Sequence, residues 1–375
     1  MRVGFDATTL TMQRTGIGRY TLELLRALAR HEPDLELVLM SHRSLDADLS
    51  TKGVGALRRL RGPGLPVKLA WMQTLLPVQL AAARLDVCHF TNYHAPLASP
   101  LPMVVNLHDM SLILTPRRHP SRRVLTMRPF LRAVARRAAA VVCLTESARR
   151  DAIETLDLEA TRVHAIPAAP AARFQPITDP AELNETAARY GLGPGFLLFV
   201  GTIEPRKNLV RLVESYAHLR ADGFDRPLVL CGGLGWQYAE LLERIDALGL
   251  QGSVRLLGFV PDDHLPRLLS LAGAFVYPSL YEGFGLPIIE ALACGTPTVT
   301  SDLGAMAEVA GDAALLVDPT DVEALTAALR QALGDSATRT RLRTQGPLRA
   351  AQFSWQLAAH QTAALYRTVA PMAVG

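Results

Sequence analysis

Two glutamates eight positions apart, Glu282 and Glu290, carry the strongest chemical signal in the chain. Gly283, Phe284, Gly285, Leu286 and Pro287 lie between them, so a loop becomes a helix within that spacing. Glu282 then sits in the loop, where a carboxylate can accept sugar hydroxyls. Glu290 sits inside the helix beyond its first turn, where it can accept a ribose diol. A carboxylate in so apolar a helix, followed by Ala291-Leu292-Ala293-Cys294-Gly295, is expensive to bury unpaired. The backbone N–H groups from Phe284 to the neighbours of Pro287 suit a phosphate or a sugar, and Pro287 itself has none to give.

A second cluster is Gly201-Thr202-Ile203-Glu204-Pro205-Arg206-Lys207-Asn208, directly after an apolar run. Cations are unfavourable near a helix start unless an anion visits. Arg206 as a fork and Lys207 as a point charge are well placed to clamp a diphosphate. A third candidate is His108, which ends Val104-Val105-Asn106-Leu107 and precedes Asp109. It can donate to a hydroxyl or phosphate, or it can be a satisfied histidine paired with Asp109. A fourth is Thr15-Gly16-Ile17-Gly18-Arg19-Tyr20. Gly16 and Gly18 before a helix let N–H groups approach an anion, but the third glycine of G-x-G-x-x-G is missing, and a tight turn without ligand reads equally well. There is no G-K-[ST] phosphate loop, no H-E-x-x-H and no metal-ligand spacing among the ten histidines.

These residues need strand ends to hold them. Arg2–Asp6, Leu35–Met40, Val87–Phe90, Met103–Leu107 and Ala140–Leu144 read as strands, with a helix over Ile17–Ala29. The pattern restarts at Phe196–Val200, followed by a helix over Asn208–Leu219. Strands at Pro227–Cys231, Val254–Leu257 and Ala274–Tyr277, a helix from Gly285 to Ala293, and strands at Thr298–Thr300 and Ala314–Val317 complete it. Near-continuous apolar strands separated by helices mean parallel sheets covered on both faces, and two sets mean two doubly wound α/β domains. In such sheets ligands bind beyond the carboxyl ends of the strands, which is where all four clusters fall. The segment Ile166–Pro176, with three prolines, reads as the linker. Residues 1–172 are expected as the first domain, 177–352 as the second, and 353–370 as a last helix with Ser354 as its N-cap.

Composition narrows the class. The 375 residues are 49% hydrophobic and 20% charged, a globular profile, with no apolar run long enough for a membrane span or a signal peptide, so a cytoplasmic location is expected. Cys88, Cys143, Cys231 and Cys294 are isolated in apolar segments and expected to be reduced and buried. Residues 1–175 hold 24 Lys+Arg against 14 Asp+Glu, and residues 176–375 hold 15 against 21. The basic half should face something anionic. No recognition helix, zinc finger or aromatic RNA-binding pattern is present, so nucleic acid is not the expected partner.

Taken together, Glu282 to Glu290 with its continuation to Val299, Val200 to Leu209, Gly16 to Tyr20, and Gly311 to Pro319 resemble the retaining glycosyltransferases of the large glycosyltransferase family 4. That family includes bacterial mannosyl- and rhamnosyltransferases of lipopolysaccharide and capsule assembly. The resemblance covers essentially the whole chain. It implies the GT-B architecture, two facing Rossmann-like domains with a cleft between, and a final helix returning to the first. It implies a nucleotide-sugar donor, GDP-mannose or a GDP-deoxymannose by preference, and a glycan acceptor on a polyprenyl diphosphate. Gly16 and Gly18 would line the diphosphate, His108 would touch the donor sugar, and Lys207 with Arg206 would hold the diphosphate. Glu282 would bind sugar hydroxyls, Phe284, Gly285 and Leu286 would complete the donor loop, and Glu290 would take the ribose. Many relatives carry Arg directly after the strand glycine, where this chain has Thr202, so Arg206 is expected to supply that charge. No metal and no cofactor are expected. Eight arginines and no acid between Arg117 and Arg137 predict contact with an anionic membrane face, unless the helix there is an ordinary solvated basic face. The rival class is a non-catalytic nucleotide-sugar-binding protein or partner subunit on the same fold. A nucleotide dehydrogenase would require the full glycine fingerprint.

Overall fold

A computed structural model describes residues 1–11, 16–45 and 68–370, and the backbone of residues 58–61. It divides into two compact units. Unit 1 is Met1–Pro116, Ser121–Ala168 and Ser354–Gly375, and unit 2 is Arg117–Pro120 and Ala169–Phe353. The division falls at Ala168, so Ala169 to Ala172, expected with the first domain, belong to the second. Ala169, Ala171 and Phe174 are buried, Phe174 N–H donates to Ala171, and Arg173 reaches Asp262 at 3.5 Å. These contacts fold the segment into unit 2 and leave little of it as a free linker.

In unit 1 the elements are β1 (Arg2–Asp6), α1 (Gly16–His31), β2 (Glu36–Ser41), β3 (Arg58–Arg61), α2 (Lys68–Ala82), β4 (Val87–Phe90), β5 (Met103–Asn106), α3 (Ser111–Leu114), α4 (Ser121–Arg137), β6 (Ala140–Cys143), α5 (Glu146–Leu156) and β7 (Val163–Ala165). The sheet runs β3-β2-β1-β4-β5-β6-β7, with every pair parallel. β3 and β7 escape sequence reading because one is an Arg-rich edge and the other has three residues. Pro129 lies inside α4.

Unit 2 contains α6 (Pro180–Tyr190), β8 (Leu197–Val200), α7 (Leu209–Ala221), β9 (Leu228–Cys231), α8 (Ala239–Ala247), β10 (Val254–Gly258), α9 (Leu265–Leu271), β11 (Ala274–Tyr277), α10 (Leu286–Ala293), β12 (Thr298–Ser301), α11 (Gly304–Ala310), β13 (Leu315–Val317), α12 (Val322–Gly334) and α13 (Ser336–Ala350). Its sheet order is β10-β9-β8-β11-β12-β13, again parallel throughout. A last helix, α14 (Trp355–Val369), is capped by Ser354 and packs on α1 in unit 1. Around it Glu32 takes His360, and Arg367 reaches Glu32 at 2.7 Å and Asp34 at 2.8 Å.

β1, β4, β5, β8, β9, β11 and β12 are essentially buried along their length, as strands covered on both faces must be. In each sheet the strand order reverses once, between β1 and β4 in unit 1 and between β8 and β11 in unit 2. Loops leaving these strands diverge, and that opening is where an α/β sheet admits a ligand. Just past the ends of β8 and β9 the backbones crowd: a Cβ on Gly232 would lie 2.0 Å from the Gly201 carbonyl oxygen. The four cysteines are free and buried, and burial pushes the thiols of Cys88, Cys143 and Cys231 up to about 12. Among the described residues no helix is long and apolar enough to cross a membrane.

Candidate active site

Unit 2 brings the loop after β8 against the loop after β11. After Gly201 the chain pairs Ile203 with Leu234. It then makes a single 3-10 turn over Pro205–Lys207, ended by Asn208 in the left-handed region at φ 60°. Leu280 N–H donates to the Arg206 carbonyl at 2.9 Å, which locks the two loops together. Above that bond lies a compact ionic cluster. Lys207 Nζ donates to Glu282 Oε1 at 2.5 Å and to Tyr277 Oη at 2.6 Å, and it lies 4.8 Å from the Tyr277 ring centroid. Tyr277 Oη donates in turn to Glu282 Oε1 at 3.2 Å. Arg206 uses Nη1 on Glu282 Oε2 and on the Tyr281 carbonyl, both at 2.7 Å, and Nη2 on Glu204 Oε1 at 2.9 Å.

The side chains of Arg206, Glu204, Glu282 and Lys207 are only 11%, 5%, 10% and 8% exposed. Two cations therefore face two carboxylates in near-dry surroundings, and the cluster is neutral. Burial pulls the Lys207 ammonium below its ordinary range, partly offset by Glu282. Burial lifts the Tyr277 phenol well above its range, so it stays a donor. Two sequence expectations change here. Arg206 is not an open charge, because both terminal nitrogens hold protein oxygens and brace the Tyr281–Glu282 loop. Glu282 is not a loosely held loop carboxylate, because both of its oxygens are bonded to cations.

α10 begins at Leu286 after Gly285, whose φ of 87° favours glycine. A Cβ there would also meet Ile288 Cδ1 at 2.8 Å. The Phe284 side chain is 3% exposed and sits edge-on to Phe353 at 5.8 Å. Any contact it offers a donor is through its backbone. Glu290 is 4% exposed in the second turn of α10.

Unit 1 holds the remaining candidates. Gly16 and Gly18 open α1, and a Cβ on Gly16 would meet nothing within 4 Å. Thr15, the first residue read with them, lies outside the described residues. Tyr20, two positions after Gly18, meets the His108 ring edge-on with centroids 5.1 Å apart. His108 Nε2 lies 2.7 Å from the Thr91 carbonyl oxygen. A carbonyl only accepts, so Nε2 carries the proton. Burial lowers the His108 pKa, so the ring is neutral and Nδ1 is an acceptor. The expectation that His108 donates is therefore revised. Asp109 Oδ1 accepts from Ser111 N–H at 2.9 Å and from Ser111 Oγ at 2.5 Å, ahead of α3. Glu204, Tyr277, Tyr20 and Thr91 carried no role in the sequence reading. Tyr277 and Thr91, a polar residue at the end of a strand and one just after it, could have been found that way; Tyr20, inside α1, carries no such signal. Among the described residues no group of three or more His, Cys, Asp and Glu could hold a metal ion.

Comparison with known proteins speaks to family and fold. The family described as glycosyl transferases group 1 matches residues 186–349, and the glycosyl transferase 4-like domain matches residues 15–169. The O-antigen chain mannosyltransferase B of Escherichia coli is 34% identical, over 98% of this chain and 100% of its own. The D-inositol 3-phosphate glycosyltransferase of Jonesia denitrificans is 28% identical, over 94% and 90%. Among solved structures, Anabaena HepE in complex with UDP and glucose superposes with a TM-score of 0.77 at 20% identity, covering 98% of this chain and 99% of that one. WaaG, a glycosyltransferase involved in lipopolysaccharide biosynthesis, does so at 0.75 and 18%, covering 97% and 99%. These two likenesses speak to the fold. The near-full-length relative and the two domain matches speak to the lineage: the chain is a glycosyltransferase of the GT-B fold and belongs to the group 1, GT4-like family.

Proposed function

We propose that the protein is a retaining hexosyltransferase that moves mannose, or a deoxymannose, from a GDP-linked nucleotide sugar to a growing glycan. The observation that carries the reading is the Lys207–Glu282–Arg206 cluster at the β8/β11 reversal. The mannosyltransferase name of the 34% identical relative supports the sugar. As the glycosidic bond lengthens, the sugar gains oxocarbenium character and the departing diphosphate gains negative charge. A lysine ammonium has three N–H donors. Two are spent on Tyr277 and Glu282, which leaves one for a phosphate oxygen. Held dry and preorganised, that donor stabilises charge as an oxyanion hole does. Glu282, its charge balanced by two cations, is the carboxylate that would position a sugar hydroxyl. It is a positioning group, not the nucleophile of a hydrolase pair. Arg206 fixes Glu282 in place. His108 offers Nδ1 as acceptor to a hydroxyl of the donor sugar. Gly16 and Gly18, at the start of α1, are proposed as donor-binding through their N–H groups, and Glu290 as the residue that takes the ribose. Retention follows from same-face attack, with the leaving phosphate taking the acceptor proton.

The acceptor is proposed to be carried on a polyprenyl diphosphate at an anionic membrane face. Supporting this, Arg122, Arg123, Arg132, Arg136 and Arg137 of α4 are exposed, as is Leu125 at 77%. Each basic residue near anionic lipid contributes about 1 kcal/mol, so a few suffice for reversible attachment. The test of the catalytic reading is turnover of a panel of nucleotide sugars by the purified protein, with the anomeric configuration of the product read by NMR. An inverted product, or no turnover of any GDP-sugar, would contradict it.

A further inference from the structure

A chain of buried polar groups runs from α14 to the His108 ring. Tyr366 Oη and His89 Nδ1 are 2.5 Å apart, and His89 Nε2 and Asn106 Oδ1 are 2.5 Å apart. Asn106 Nδ2 donates to Tyr20 Oη at 2.7 Å. Tyr366, His89 and Asn106 are fully buried, and Tyr20 is 2% exposed. The Tyr20 ring then meets His108 edge-on, at 83° between planes, and its other neighbour is Trp355 of α14 at 5.6 Å. Four separate elements contribute: α14, β4, β5 and α1.

The protons follow from the orientation of the Asn106 amide. Asn106 donates through Nδ2 to Tyr20, so the atom facing His89 is an oxygen and can only accept. His89 Nε2 therefore carries the hydrogen. Burial holds the His89 pKa down at about 4, so the ring is neutral and Nδ1 must accept from Tyr366. Burial raises the Tyr366 phenol, which stays protonated and can give that bond. A run of donors pointing one way through buried groups fixes orientation in a manner an apolar core cannot.

We propose that Tyr20, oriented by Asn106, His89 and Tyr366, is a positioning residue for His108. The Thr91 carbonyl sets the tautomer of His108 and the Tyr20 ring sets its tilt, so that the Nδ1 lone pair is presented to a hydroxyl of the transferred sugar. The identity of that ligand rests on the function proposed above. The seating of the ring does not.

The test uses the full chain labelled with 15N-histidine. Long-range proton–nitrogen correlation at neutral pH should show both His89 and His108 protonated at Nε2. Tyr20→Phe should lower kcat by about 10- to 100-fold, the scale expected for a misplaced reacting group. It should leave the donor KM within about 2-fold and move the His108 nitrogen shifts. Tyr366→Phe, at the far end of the chain, should release the His89 tautomer and lower kcat less. Should Tyr20→Phe fail to fold, Tyr366→Phe should still lower kcat, by a smaller factor, and move the His108 shifts. A wild-type His108 protonated at Nδ1 would overturn the proposal, as would Tyr20→Phe with unchanged kcat and His108 shifts. His108→Ala with full turnover would instead remove the role assigned to His108, whatever the shifts in the tyrosine variants show.

Discussion

Replacing Glu282 by Gln removes one of the two negative charges that balance Arg206 and Lys207, and changes almost nothing in shape. The Lys207 ammonium, with its side chain 8% exposed, keeps its bond to Tyr277 but loses its counter-charge at 2.5 Å. Arg206 keeps Glu204 and loses a 2.7 Å partner. Breaking a buried pair from one side leaves an uncompensated charge and costs about 3–5 kcal/mol. At about 2–4 °C per kcal/mol for a unit of this size, the unit 2 transition should fall by roughly 6–12 °C or more. Lys207 already has a lowered pKa, and losing Glu282 lowers it further. A cation whose folded pKa lies below the unfolded value binds fewer protons folded than unfolded in the interval between them. Stability there rises with pH. The deficit of Glu282→Gln should therefore shrink as pH climbs toward that of free lysine. Adding Lys207→Met should restore part of the loss, because the orphaned charge is then gone. Turnover should fall about 100-fold or more, since an aligned charge contact in the transition state is lost. Calorimetry of both single variants and the double variant, at two pH values, reads the stability changes, and a transfer assay reads the turnover. A single-variant transition within about 1 °C of wild type, or a double variant no better than Glu282→Gln, would refute the idea of a balanced buried cluster.

Acid should weaken unit 1. The folded pKa of His89 is about 4, below the unfolded value near 6.5, so stability is full above about 6.5 and falls by up to about 3 kcal/mol on the way to pH 4. His94, held near 3 by burial with Lys68 and Arg123 nearby, acts in the same direction. Amide exchange in β4 and β5 that stays constant between pH 6.5 and 5 would contradict this. On the proposed function Lys207 and backbone N–H groups hold the diphosphate, so transfer should persist in excess chelator. Complete loss, restored by manganese or magnesium, would show that a metal shares the work. Liposome flotation should show binding to anionic vesicles at low salt, much reduced when Arg117, Arg122, Arg123 and Arg132 become Ser. Equal failure on anionic and neutral vesicles would favour a soluble acceptor.

What sequence makes legible here is what local chemistry determines. Leu197–Val200 and Ala274–Tyr277 announce themselves as strands because they are apolar on both faces. Gly285 before Leu286-Pro287 announces a helix start because its φ of 87° suits glycine and Pro287 fits a first turn. The clusters at His108, Arg206-Lys207 and Glu282 stand out because charge follows an apolar run. Partnership is another matter. Arg206 and Glu282 are 76 residues apart and meet only because β8 and β11 are neighbours. His89 and Tyr366 are 277 apart and meet only because α14 packs in unit 1. Read alone, Arg206 was an open cation and Glu282 an open carboxylate, and folding turned each into the other's counter-ion. The Ile166–Pro176 segment misled in a similar way: its prolines suggested a linker, while Ala169, Ala171 and Phe174 were spaced to be buried.

The central claim is that Lys207, seated by Glu282 and Tyr277, stabilises the departing diphosphate of a GDP-activated mannose or deoxymannose. Its most direct test is single-turnover transfer from GDP-mannose and GDP-deoxymannose by wild type and Lys207→Met, with donor binding measured separately. The account predicts retained product from at least one donor. For Lys207→Met it predicts a rate lower by about 100-fold or more, while donor affinity falls far less. A Lys207→Met rate near that of wild type, or a loss confined to donor affinity, would contradict it.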